Sequence, residues 1–201
     1  MYSAFAAMHP AVCCDASVIL VVLKMKRMRI ILAIVVVVFA ACGRSEQNAK
    51  GTPELTAALR KAALLEPLPF KASPNEPIMV VVDMNFGIVG TTVVATKDGD
   101  ASLYSTKGGA FIGGGGKPHI HAAALKLIRE SAKHIQAMTP TTTYPFPSSG
   151  NVRFYVRTPQ KVYTAEAPLA RLMDDHPHAL APLFGAAMDV GMPLQDLGKE
   201  K

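Results

Sequence analysis

Past position 42 the chain has no cysteine; the three it contains are Cys13, Cys14 and Cys42. A body without thiols holds no disulfide framework, no CxxC redox pair, no cysteine-ligated zinc and no cysteine nucleophile. Standard catalytic signatures are missing as well. There is no G-x-S-x-G elbow, no HExxH and no pair of carboxylates placed for acid–base work. A triad assembled in space leaves no such trace. Long apolar runs are scarce. The run from Ile30 to Ala41 is 12 residues, against about 20 for a membrane-spanning helix. The body also lacks a strong charge bias. The whole chain is +6, but residues 1–41 hold four Lys/Arg and one acid, leaving 17 basic and 14 acidic residues, or +3. That is weak support for nucleic-acid binding, and none is expected.

What is present begins with a targeting pattern. Lys24, Lys26, Arg27 and Arg29 precede the short apolar run, the arrangement of a secretory signal. It ends in "VFAAC", Val38 to Cys42. This resembles the lipobox of bacterial lipoproteins. Ala40, Ala41 and Cys42 match it; Phe39 departs, since the family prefers an aliphatic residue there. The resemblance implies cleavage before Cys42 and a diacylglyceryl group on its sulfur. It also implies membrane attachment in the cell envelope, facing the periplasm. Gly43 resembles the sorting position of lipoproteins sent to an outer membrane. The alternative is a short, uncleaved membrane anchor. Residues 1–24 fit neither and are read as a mis-assigned start or an extended N-terminus. Residues 25–41 are then the signal, 42–51 a polar lipidated tether, and 52–201 one domain.

Within that domain, "TPELTAALRKAALLE" predicts a helix with Thr52 as N-cap, Pro53 in its first turn and Leu55, Ala58, Leu59 and Ala62 on its apolar face. Four prolines between Pro67 and Pro77 mark a connector. "IMVVVDMNF" predicts a central strand, and a hairpin turning at Asp98-Gly99 follows. Ile120, Ala124, Leu127, Ile128 and Ile135 line one face of a helix starting at Pro118. A second hairpin spans 151–167, with Val152, Phe154 and Val156 on the face opposite Arg153, Tyr155 and Arg157. A last helix carries Leu180, Leu183, Phe184, Ala187 and Met188, with Gly191 at its end. The expected fold is α+β: one antiparallel sheet of about five strands with helices packed on it. Over residues 78–190 this element order resembles profilin-like and roadblock-like domains, which bind partner proteins, the latter often as dimers. The glycine stretch and the helix after it resemble an uncharacterised bacterial family, which implies no activity.

Four groups of residues are candidates for chemistry. "KGGAFIGGGGKPHIH", Lys107 to His121, holds six glycines in nine residues. A P-loop fails, because Phe111 stands where its first glycine belongs and Pro118 where its Ser/Thr belongs. No register satisfies G-x-G-x-x-G. Gly113, Gly114, Gly115, Gly116, Lys117 and His119 remain as an anion site at a helix start, or simply as a tight joint. "AFI" between the glycines is either a core plug or a short edge strand. His119 and His121 diverge by about 200° at a helix start, too far to share one metal. Asp174, His176 and His178 are a better metal set; otherwise the acids cap the last helix and the histidines are solvated. Arg153, Tyr155 and Arg157, with Lys161 and Tyr163, form either a solvated outer face or one for an acidic partner. Asp83 is either catalytic or a residue that ends the strand or bonds to a turn.

The reading that follows is a non-catalytic, membrane-anchored lipoprotein that binds a protein or envelope component, with a homodimer as one form of partner and no cofactor. Its rivals are a metal-dependent hydrolase built from His119, His121, Asp174, His176 and His178, and a small-ligand sensor rimmed by the glycine loop.

Overall fold

The computed structural model describes residues 47–49, 51–67, 69–174 and 178–197. Cys42, the signal and His176 lie outside them. The fold is α+β, with one open antiparallel sheet and helices on it. Seven strands run between Met79 and Pro168: β2 (Met79–Asn85), β3 (Gly90–Thr96), β4 (Ala101–Ser105), β5 (Ala110–Ile112), β6 (Thr139–Thr141), β7 (Asn151–Arg157) and β8 (Val162–Pro168). An eighth, β1 (Gln47–Ala49), lies within the segment read as tether and pairs with β5. The order is β1-β5-β4-β3-β2-β7-β8-β6.

The expectation of about five strands was low because β5 and β6 are three residues each, too short to show alternation. "AFI" is a strand, lying between β4 and β1 rather than at the edge. β6 contains Pro140, and a proline is tolerated there because β6 is the edge strand.

β2 is central and pairs with β3 on one side and β7 on the other. Its near-continuous apolar run suits a strand covered on both faces. Val80, Val82 and Met84 face one core, joined by Val152, Phe154 and Val156 of β7. Met79, Val81 and Tyr155 face the other. The alternation expected at 152–157 is therefore the one observed.

The first face is covered by α2 (Pro118–His134) and α4 (Ala181–Leu197). α2 buries Ile120, Ala124, Leu127 and Ile128 as expected. α4 buries Leu183, Phe184, Ala187, Val190 and Leu194. Gly191 does not end α4, which continues to Leu197. A Cβ there would stand 2.9 Å from Val93 Cγ2, so glycine lets the helix lie close on β3. A four-residue helix, α3 (Leu169–Leu172), follows β8. Among the described residues, no helix is long and apolar enough to cross a membrane.

The second face is covered by α1 (Pro53–Leu65). Thr52 Oγ1 caps it as expected, accepting from Leu55 N at 3.3 Å. Its inner face is displaced from the expected one. Thr56, Ala63 and Leu64 are buried, whereas Leu55 is 44% exposed.

Candidate functional site

A concavity opens between α4 and the β3–β5 part of the sheet. Its floor is Val93, Leu103 and Phe111; its walls are Met84, Phe86 and Val89 on one side and Met188, Gly191, Met192 and Leu194 of α4 on the other. The volume is about 520 Å³, the size of an ordinary ligand pocket. Gly108, Gly109, Ala110 and Phe111 also line it, so the first half of the glycine stretch borders this groove. At the rim, Phe86 and Met192 are 46% and 56% exposed, and Ile88 at the neighbouring turn is 86% exposed. Three methionines give the walls a flexible, polarisable surface that adapts to differently shaped apolar groups.

Among the described residues, the lining contains no carboxylate, imidazole, amine or guanidinium, and its polar side chains are Thr91, Tyr104, Ser105 and Gln195. Burial pushes the Tyr104 phenol above its ordinary value, against a hydrogen bond with Ser102.

The second half of the glycine stretch forms a tight turn against the sheet and α4. Gly113 has φ +83°, a left-handed conformation that turns the chain into a 3-10 turn at Gly114–Gly116. Lys117 N donates to Gly114 O at 3.0 Å, and Gly116 N points to Gly113 O at 3.4 Å. A Cβ on Gly114 would stand 2.5 Å from Leu194 Cδ2, and one on Gly115 would collide with Asp100 Oδ1. The Asp100 carboxylate of the same chain thus lies against this loop. His119 is exposed, while His121 is half-buried against Gly99.

Of the metal candidates, His178 Nδ1 accepts from Leu180 N at 3.2 Å, and Asp174 lies 3.4 Å from Arg171 Nη1. Among the described residues, no group of three or more His, Cys, Asp or Glu is placed to hold a metal ion.

The face read as outer and solvated is covered. Tyr155 is fully buried and Arg157 is 8% exposed, because α1 lies over them. Arg157 donates to the carbonyls of Ala63 and Glu66 at the end of α1, where the helix dipole is negative. Burial lowers the affinity of its guanidinium for the proton, with Tyr144 and Glu66 opposing. Tyr155 donates to Pro145 O at 2.6 Å, and burial pushes its phenol up. Arg153 is half-buried and paired with Glu166 across to β8.

Asp83 sits in the middle of β2, not at its end, and is completely buried. Its carboxylate accepts from Arg60 Nε and Nη2 at 2.6–3.0 Å and from Thr92 Oγ1 at 2.6 Å. Arg60 also donates to Tyr144 O at 3.0 Å. These bonds satisfy the acid fully and account for it structurally. A smaller cleft of about 270 Å³ opens beside Arg60, lined by Thr56, Thr92, Ser105, Thr106 and Phe146 among others.

Arg60 did not stand out in the sequence, and of the groove residues the glycine stretch did. Thr56, Arg60, Ala63 and Leu64 have the spacing of one helix face, but half are polar. The available signal for the groove was Phe86 and Ile88, apolar residues in a tight turn where polar ones are usual.

Comparison with protein-family models, with curated proteins and with solved structures returns no match.

Proposed function

We propose that this chain is a lipid-anchored bacterial envelope protein whose α+β domain binds an apolar segment of a protein or envelope component without transforming it. The groove carries the proposal. Its lining is largely apolar, with no charged side chain among the described residues, and Phe86 and Met192 at its rim and Ile88 at the neighbouring turn stand in water. Exposed apolar side chains gathered beside a concavity mark an interaction site. The resemblance in element order to profilin-like and roadblock-like domains supports a partner-binding role.

The anchor rests on the lipobox-like end at Cys42. Gln47 joins the sheet edge five residues later. A chain of that length spans at most about 18 Å, so a lipid on Cys42 would hold the domain close to the membrane surface. A second reading, a small-ligand sensor, is favoured by the glycine stretch lining the groove. Its ligand would be neutral and largely apolar rather than an anion.

Two arms of one experiment test these claims separately. Palmitate should label the full-length chain in bacteria and not its Cys42→Ala variant; equal labelling would defeat the anchor. Nile red should bind the purified domain with a blue-shifted emission, and Met192→Glu should weaken that at least tenfold. Met192 is exposed, so the variant should keep its stability within about 0.5 kcal/mol. Unchanged dye affinity would defeat the groove.

A further inference from the structure

The sheet face beneath α1 carries more recognition chemistry than burial of a helix requires. α1 buries Ala63 and Leu64 and part of Leu59, while Leu55 and Leu65 stay 44% and 49% exposed. Its other contacts are polar pins. The Arg60 guanidinium lies on Asp83, with the rings of Phe146 and Tyr155 at 5.5 Å and 5.8 Å. Arg157 holds the carbonyls at the far end of the helix. A buried ion pair recovers in attraction little more than its desolvation costs. Such pins fix where a helix sits more firmly than they hold it down.

The connector points the same way. Glu66 O accepts from Arg157 Nη2 at 2.7 Å, and Ile78 N donates to Arg157 O at 2.8 Å. Both ends of the connector therefore meet one residue. A typical connection has about 4–6 residues; this one, 66–78, has 13, four of them proline. At about 3.1 Å per residue it can extend to roughly 40 Å. α1 can leave the face without pulling on β2.

We propose that the face formed by Asp83, Thr92, Tyr155 and Arg157 is a second interaction surface. It fits a helix that brings an arginine to Asp83 and its C-terminal carbonyls to Arg157. The chain's own α1 fills it here and acts as a displaceable latch, with which a partner helix of the same chemistry competes. An acidic or wholly apolar helix is rejected, because either leaves the Asp83 carboxylate buried without a cation.

Hydrogen exchange on the full-length chain tests the latch. Amides of 57–65 should exchange at least tenfold faster than those of 79–85. Arg60→Ala should speed the first set at least tenfold more than it speeds the second, with Arg60→Lys between the two. A synthetic peptide of residues 52–66 should bind the R60A chain one to one, and the same peptide carrying R60A should bind at least tenfold more weakly. Exchange of α1 at the rate of β2 in the unaltered chain would overturn the latch, whether or not R60A folds. Equal affinity of the two peptides, or no binding by either, would overturn the surface.

Discussion

On one face of the sheet Val80, Val82 and Met84 meet two helices of 17 residues each; on the other Met79, Val81 and Asp83 meet one helix of 13. The same strand supplies both sets by alternation, yet the two faces are held differently. Under α2 and α4 the contacts are aliphatic and aromatic, with Leu127, Leu183, Val190 and Leu194 fully buried. Each such side chain contributes about 1.5–3 kcal/mol on leaving water. Under α1 the central contact is an ion pair, and the end of the helix is held by a guanidinium. Apolar packing is strong and tolerant of small slips. The polar pins are weaker in net energy but accept one position, because a shifted Arg60 would leave Asp83 alone. One face therefore supplies most of the stability, and the other supplies register with a reversible contact.

Breaking the apolar face should have the largest effect. Leu127→Ala should cost about 2–5 kcal/mol, read as a lower urea midpoint at constant m. Leu64→Ala, on a side chain only 2% exposed, should cost clearly less, since α1 can shift to close the space. Equal losses would erase the distinction between the faces. Next in size is the ion pair. Removing Arg60 alone or Asp83 alone orphans a buried charge, but α1 can lift to hydrate it, so the loss should be about 1–3 kcal/mol. Arg60→Met combined with Asp83→Leu should return to within about 1 kcal/mol of the parent. A double variant as unstable as the two singles added together would show that the residues are not coupled.

How much of this was legible in the sequence follows from what a pattern can encode. Periodicity reports which residues share a face, and it did so for Ile120, Ala124, Leu127 and Ile128 and for the alternation from Val152 to Arg157. It does not report what covers a face. Arg153, Tyr155 and Arg157 have the composition of an outer surface, and only the fold brings α1 over them. The inner face of α1 was misjudged for the same reason, since Thr56 and Arg60 are polar because their partners, Ser105 O and Asp83, are. Elements of three residues hold no period, so β6 went unseen. The groove joins a turn near 86, a strand near 111 and a helix near 192, and no spacing rule links positions so far apart.

The smallest effect should come from the outer side of α2, where Glu130 pairs with the exposed Lys133. Glu130 meets Lys133 Nζ at 2.5 Å and His134 Nε2 at 3.2 Å. The hydrogen bond from Lys133 holds its carboxyl below the usual glutamate range, against a smaller opposing effect of burial, and His134 adds to the lowering. A folded-state value below the unfolded one, about 4.3, contributes stability that is present above that pH and is lost as pH falls through the lowered value. Lys133 is 68% exposed, so the contribution is that of a surface helix pair, about 0.3–0.5 kcal/mol. Glu130→Gln should remove this much at pH 6 and nothing below the folded-state value, and 1 M salt should mimic the substitution. The same salt should leave the Arg60–Asp83 pair almost untouched, because water and ions do not reach an acid that is completely buried. If salt loosened both pairs equally, burial would not be what separates the latch from an ordinary surface contact.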